Sequence, residues 1–434
     1  MLPIRIISRY FLWLWFLLIC ICLSCNSGHR KEDEKGVKLL KTSEGFGLFR
    51  NGKEFYIKGA AGNGHLKELA KAGANTLRVY DTIGLKNKLD LADSLGLALV
   101  VDLPLIISKG QIKTTTVEAV ISTVENYKDH PALLYWVLGN EVYSPRFKPG
   151  ILDEEFNQLV EKIRQIDPDH PITTTVTAGA VEHMILINWR CPGIDFISIN
   201  IFGRLNQIDF LKKLSFVWQG PYVISEWGNN GPWESNSTTW GAPLEQTSTK
   251  KAVQIKQRYQ DYIATLDDGR CLGSLAFYWG TKLETTETWF SLFPENEKKT
   301  QAIFELENVW TNKDRKYTGP EIDHILINGQ REWNSIISLP GQPITGQVVL
   351  VGNDQDDAFF WEVKPEAWST PSKVYLKDKD RPKEVVQIEE QNNVQITFNA
   401  PLKEGPYRLH YTVEGKDGYV ATANVPFYVL EEEE

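Results

Sequence analysis

The sequence predicts an α/β chain, a closed (β/α)8 TIM barrel followed by an immunoglobulin-like β-sandwich. Three observations predict it. Eight short, β-prone apolar runs alternate with mostly helical patterns over roughly 270 residues, the usual span of an eightfold barrel. Near Trp310 the alternation stops, and only short strands with turn signals follow. Between the two regions lies "TNKDRKYTGPEID", a polar stretch with Gly319-Pro320 that reads as a linker.

The first 25 residues stand apart from the fold. Arg5 and Arg9 precede an apolar run of 14 residues, Tyr10 to Leu23, which is too short for a comfortable membrane span. Leu23-Ser24-Cys25 then resembles a lipobox, although Cys22 stands where Leu is usual. The expectation is a lipoprotein signal peptide over 1–25, with Cys25 as the lipidated first residue and 26–36 as a polar tether. That implies an exported protein held on a membrane by its lipid, in the periplasm or on the outer-membrane surface of a Gram-negative bacterium.

The barrel is expected over 37–312. "LFRNGKEFYIKG" is a hairpin signal, two β-prone runs around Asn51-Gly52. The eight runs are Phe55–Lys58, Thr76–Tyr80, Ala98–Asp102, Leu134–Leu138, Ile172–Val176, Phe196–Ile199, Tyr222–Ile224 and Leu275–Tyr278. Between them, "DEEFNQLVEKIRQI" sets Phe156, Leu159, Val160, Ile163 and Ile166 at helical spacing, and "VQIKQRYQDYIATL" does the same. An open doubly wound sheet is the competing arrangement. "GAAGNG" (Gly59–Gly64) imitates a dinucleotide loop, but the third glycine of the fingerprint would fall on Lys67. The linker is 313–321 and the sandwich 322–434, with strands in "GQVVLVG", "AFFWEVKP", "KVYLK", "EVVQIEE", "VQITFNAP", "YRLHYTVEG" and "TANVPFYVL".

Composition narrows the function. A net charge of −9 argues against a nucleic-acid partner. Outside the leader only Cys191 and Cys271 remain, available to pair but forming no CxxC. With scattered His, they give no usual zinc pattern, so neither metal nor cofactor is expected. Fourteen Trp is a high count; such rings stack on flat apolar faces, which sugars present.

Barrel chemistry sits at the C-terminal ends of strands. The fourth run, "YWVLGNEV", ends in Asn140-Glu141, and the seventh, "PYVISEWGNN", delivers Glu226. The second carries Arg78, Tyr80 and Asp81, the third ends in Asp102, the sixth in Asn200 and Phe202, and the eighth in Tyr278 and Trp279. Two carboxylates facing each other across a barrel mouth suit glycoside hydrolysis, one protonating the leaving oxygen while the other attacks the anomeric carbon. On that reading Glu141 is held protonated and Glu226 is kept ionised near Arg78. Asn140 hydrogen-bonds the sugar 2-hydroxyl. Tyr80, Trp233, Trp240 and Trp289 are candidate sugar platforms, and the long polar loop "GNNGPWESNSTTWGAPLEQTS" after the seventh run reads as functional.

"WVLGNEV" and "VISEWG", with the strand-2 Arg and the strand-8 Trp, resemble the motifs of retaining glycoside hydrolases of clan A over about Val37 to Trp310. The resemblance implies Glu141 as acid/base and Glu226 as nucleophile. It implies Arg78 as the nucleophile's support and Trp279 as the floor beneath the reacting sugar. Clan members often carry a strand-6 Tyr that bonds the nucleophile; Phe202 stands here instead, with Tyr80 or Tyr278 as substitutes. "HPALLYWVLGNEV" is similar to the barrel of family 2, although that family places sandwich domains before its barrel. "ANTLRVYD" with "GNEV" is similar to family 72, the β-1,3-glucanosyltransferases. The expected partner is a β-linked, glucan-type oligo- or polysaccharide, cleaved by double displacement. A transglycosylase and a non-catalytic glycan-binding lipoprotein are the alternatives.

Overall fold

The computed structural model describes residues 36–142, 151–177, 181–207, 217–294, 298–351, 358–366, 386 and 388–431. The leader with Cys25, the tether up to residue 35 and the "KVYLK" run lie outside them. Eight parallel strands close the barrel: β1 (Ile57–Gly62), β2 (Thr76–Val79), β3 (Ala98–Leu103), β4 (Leu133–Leu138), β5 (Ile172–Thr177), β6 (Phe196–Asn200), β7 (Tyr222–Trp227) and β8 (Cys271–Trp279). They pair in chain order, and β8 returns to β1. Each of the eight expected runs overlaps one of them, although Phe55–Lys58 starts two residues before β1 and Thr76–Tyr80 runs one residue past β2.

The strands alternate between two cores, as side chains on a pleated strand must. On β3, Leu99, Val101 and Leu103 pack outward against the helical layer, while Ala98 and Val100 face the barrel interior. On β4, Trp136 and Leu138 point outward and Tyr135 and Val137 inward. The helical layer includes α1 (Leu66–Lys71), α2 (Leu85–Ser94), α3 (Thr114–Tyr127), α4 (Ile151–Ile166), α5 (Val181–Arg190), α6 (Ser248–Arg258) and α7 (Gln301–Thr311).

The predicted hairpin pairs Gly45–Arg50 with Lys53–Glu54, and Asn51 (φ 53°) and Gly52 (φ 73°) take the left-handed conformations its tight turn needs. It covers the N-terminal end of the barrel. Phe46 N–H donates to Gly269 O at 2.7 Å and Arg50 Nη2 to Pro131 O at 2.8 Å. The opposite end stays open.

The C-terminal region is a two-sheet sandwich. One sheet orders β9 (Ile322–Ile327), β10 (Pro343–Leu350), β13 (Gln395–Asn399) and β12 (Ile388–Gln391). The other contains β11 (Ala358–Pro365), β14 (Gly405–Glu414) and β15 (Tyr419–Val429), and it also takes in the barrel segment Lys299–Thr300. Trp361, Val363, Leu409, Tyr411 and Phe427 fill its core. The 313–321 stretch is mostly exposed but anchored at Tyr317 and Pro320, which are buried. Tyr317 is buried against Phe304 of α7 and Tyr419 of β15. Cys191 and Cys271 are free thiols, so the two do not pair.

Candidate active site

The open end of the barrel holds a cavity of about 800 Å³ bordered by Tyr80, Asn140, Glu141, Asn200, Glu226 and Trp233. Its geometry starts with Arg78 on β2, wholly buried among carboxylates and amides. Its guanidinium grips Asp102 at the end of β3 twice, Nε to Oδ1 at 2.9 Å and Nη2 to Oδ2 at 2.8 Å. The same group donates to Asn140 Oδ1 at 2.8 Å and to Glu226 Oε1 at 3.1 Å. Asp102 therefore fixes the fork that reaches both sides of the site, as a bidentate pair does well.

β4 ends in a tight turn that aims two polar side chains at the cavity. Gly139 (φ 72°) and Glu141 (φ 52°) are both left-handed. The turn is tied to β5, where Thr175 Oγ1 accepts from Glu141 N–H at 2.7 Å and donates to Asn140 Oδ1 at 2.8 Å. Asn140 Oδ1 thus accepts from Arg78, from Thr175 and, at 3.3 Å, from Asn200 Nδ2. A carbonyl oxygen so occupied leaves the amide N–H groups to face the cavity. Asn200 also donates to Glu141 Oε1 at 2.7 Å and is itself held by Ser225 Oγ at 2.8 Å.

Glu226 at the end of β7 is 6% exposed. Its Oε1 accepts from Tyr80 O–H at 2.8 Å as well as from Arg78. Tyr80 supplies from β2 the hydroxyl that Phe202 lacks on the sixth strand's side, and Arg78 lies 4.6 Å from the Tyr80 ring centroid. The expectation of an ionised Glu226 meets a competing force. Burial pushes its carboxyl up to about 7, with the Glu141 charge adding to the rise, although Arg78, Tyr80 and Lys282 pull it down. Burial also raises Asp102, while the guanidinium of Arg78 opposes it.

Several expected site residues fall elsewhere. Trp279 is fully buried outside the barrel, stacked among Phe293 and Trp310, with Nε1 donating to His65 O at 3.3 Å. It cannot be the floor of a sugar site. The pairing of β8 with β1 slips between Phe277 and Trp279, so Phe277 and Tyr278 both belong to the interior cluster and Trp279 turns outward. A one-residue slip in a strand reverses the face of everything beyond it. Trp289 is buried and donates to Asn230 O at 2.9 Å, so it offers no platform either. Trp240 leans on Tyr428 of the sandwich, 5.6 Å between centroids. Trp233 alone of these four is both 62% exposed and on the cavity wall, edge-on to Phe202.

Sequence reasoning missed Thr175, Phe277, Lys282, Glu284 and Glu234. Thr175 had a signal, being an inward position of "ITTTVT" at a strand end. Lys282 and Glu284 form an ion pair on the loop after β8, which no periodicity marks. Glu234 Oε2 accepts from the backbone N–H of Gly203 (2.7 Å) and Gly231 (2.9 Å), joining the loops after β6 and β7.

Residues 69–235 match the model of glycosyl hydrolases family 2, TIM barrel domain. Over this span the barrel is similar to the TIM barrel domain of family 2 glycosyl hydrolases, which belong to clan A. The matched span runs from α1 through β7 and includes Arg78, Asn140, Glu141 and Glu226. No curated protein matches the chain. Solved structures with a similar course include a Bacteroides uniformis β-glucuronidase (TM-score 0.48, 14% identity, 91% of this chain and 48% of that one). The β-D-glucuronidase of Dictyoglomus thermophilum gives TM-score 0.47 and 18% identity over 65% of this chain and 54% of that one. That of Parabacteroides merdae gives 0.46 and 12% over 92% and 52%. The chain spans about half the length of these three proteins.

Proposed function

We propose that this protein is a retaining β-glycoside hydrolase acting on a β-linked, glucan-type oligo- or polysaccharide. The observation that carries the reading is one hydrogen-bonded array, Asp102–Arg78–Glu226 with Tyr80 and Asn140, facing Glu141 across a single cavity. In the first step Glu226 Oε2, the oxygen free of both Arg78 and Tyr80, attacks the anomeric carbon. The C1–O bond to the leaving group breaks as Glu141 delivers a proton to that oxygen. The resulting glycosyl ester on Glu226 is then opened by water, whose proton returns to Glu141, restoring the carboxylate of Glu226. The Asn140 amide N–H is placed to hydrogen-bond the 2-hydroxyl, a contact that strengthens in an oxocarbenium-like transition state. Asn200 borders the same cavity and orients the Glu141 carboxylate by donating to its Oε1.

Glu226→Ala is expected to lose at least about 10⁴-fold in turnover of aryl β-glycosides. Azide should restore activity and release an α-glycosyl azide. Wild-type activity in that variant would overturn the assignment. Product masses from β-1,3-, β-1,4- and β-1,6-linked oligosaccharides would define the linkage and separate hydrolysis from glycosyl transfer.

We also propose export as a lipoprotein through Cys25, a reading supported by the Leu23-Ser24-Cys25 motif after an apolar run. Palmitate labelling of the full chain should disappear in Cys25→Ser; labelling that persists would refute it.

A further inference from the structure

Behind the active-site wall lies a second depression that catalysis does not use. It is a groove of about 350 Å³ between barrel and sandwich, bordered by Asn230, Glu234, Asn236 and Gln246 on the barrel side and by Arg331 and Trp333 on the sandwich side. Glu234 borders this groove and the active-site cavity alike. It belongs to the short Pro232–Glu234 turn, whose Trp233 is exposed on the cavity side. An aromatic side chain therefore stands on each side of Glu234: Trp233 on the cavity wall and Trp333 in the groove.

Trp333 is 60% exposed, and the Arg331 guanidinium lies 4.3 Å from its ring centroid, which braces the indole. The floor is built. Thr239 N–H donates to Ser335 Oγ at 3.0 Å, tying the loop after β7 to the turn that follows Trp333. Leu244 N–H closes that loop on Asn236 O at 2.8 Å.

The groove's cations each lie against an acid, and acids outnumber them in its lining. Arg331 pairs with Glu332 at 3.0 Å, Lys250 with Asp323 at 3.3 Å, and His324 with Asp323 at 2.8 Å. With each cation answered by an acid, the lining offers an anionic ligand no surplus positive charge. What it presents is an indole face with amides and paired charges around it, the pattern that recognises a neutral sugar ring.

We propose that this groove is a distal subsite for a neutral glycan chain, whose sugar stacks on Trp333 while the chain passes over Trp233 into the active-site cavity. The sandwich thereby lengthens the substrate site and selects polymers over short glycosides. This rests on the glycosidase reading for the role of the chain, but binding can be measured without turnover.

Two measurements on the full mature chain test it. First, kcat/KM is taken on an aryl monoglycoside and on a length series of β-glucan oligosaccharides. Wild type should gain with length, and Trp333→Ala should flatten that gain about tenfold, with Trp333→Phe retaining most of it. An unchanged length dependence in Trp333→Ala would overturn the subsite while leaving the glycosidase assignment intact. Second, calorimetric binding of a long neutral oligosaccharide to Glu141→Gln should weaken about tenfold when Trp333→Ala is added. If wild type turns over no glycoside yet this loss appears, the subsite stands and the catalytic reading fails. Equal binding with and without Trp333, or binding confined to oligouronates, would overturn the proposal.

Discussion

Glu226 carries two opposing demands, and its titration is where they become measurable. The proposed nucleophile must be ionised to react, yet burial pushes this carboxyl up to about 7. The acid limb of kcat/KM is therefore expected near pH 7, well above an ordinary carboxylate. Tyr80→Phe removes a hydrogen bond to the charged form, so that limb should move to higher pH, with kcat/KM at neutral pH down about tenfold. A pH–rate profile of both proteins checks this, and an unmoved limb would assign it to another group. The same group governs stability. Its pKa is raised on folding from the ordinary 4.5, so its contribution is fully present below about 4.5 and lost as the pH rises through about 7. Glu226→Gln should abolish that loss and be more stable than wild type at about pH 8, by up to about 3 kcal/mol. Urea unfolding at about pH 5 and about pH 8 reads the difference.

At the scale of elements, the turn closing β4 is the most constrained part of the site. Gly139 has φ 72°, and a Cβ there would lie 2.6 Å from Val142 Cγ1. Gly139→Ala should cost about 1–2 kcal/mol through the left-handed backbone alone, and should lower kcat more than it raises KM by displacing Asn140 and Glu141. Thr175→Val keeps the shape of β5 but loses both hydrogen bonds to that turn, so kcat should fall about tenfold or more. Steady-state kinetics with denaturation curves separate the two effects. The turn was legible in the sequence because an apolar run that stops at Gly-Asn-Glu can only be a buried strand meeting an open end. The same logic found Glu226, Arg78 and Asn200, each one step past or within an alternating run. Trp279, taken as the floor from the resemblance, is displaced because the pairing of β8 with β1 slips between Phe277 and Trp279. A slip in register leaves no trace in composition, and Tyr278 and Trp279 are equally apolar. Thr175 was passed over although its inward position near a strand end was legible, because sequence does not say that its hydroxyl meets Asn140 and the Glu141 N–H across the barrel.

Across the whole molecule, the sandwich is part of the barrel's framework rather than a body on a tether. Arg408 of β14 is buried at the junction, donating from Nε to Glu366 Oε1 at 2.8 Å, from Nη1 to Asn424 Oδ1 at 2.6 Å and from Nη2 to Pro243 O of the barrel at 2.8 Å. Asn424 in turn donates to Glu245 Oε2 at 2.6 Å. Glu245, buried on the loop after β7, also accepts from Lys251 of α6 at 2.5 Å, from Thr286 at 2.5 Å and from Thr288 at 2.8 Å. Burial alone would push the Glu245 carboxyl up, but Lys251 and these donors bring it down to about 2. Its contribution to stability is thus present above about 4.5 and lost as the pH falls toward 2. Thr286 and Thr288 sit on the loop that carries Lys282 and Glu284 to the active-site cavity. One carboxylate therefore links sandwich, α6 and active-site loop. Removing it leaves Lys251 buried without its partner, a loss of the kind that costs about 3–5 kcal/mol. Glu245→Ala is expected to be destabilised by that amount at neutral pH, and to lose Glu245's share of any decline in stability toward acid pH. The bonds from Arg408 and Asn424 to the barrel couple the two bodies, so calorimetry is expected to record one transition for wild type and two for Glu245→Ala. A variant that still melts in one transition at the wild-type temperature would show that Lys299–Thr300 pairing with β15 suffices to hold the two bodies together.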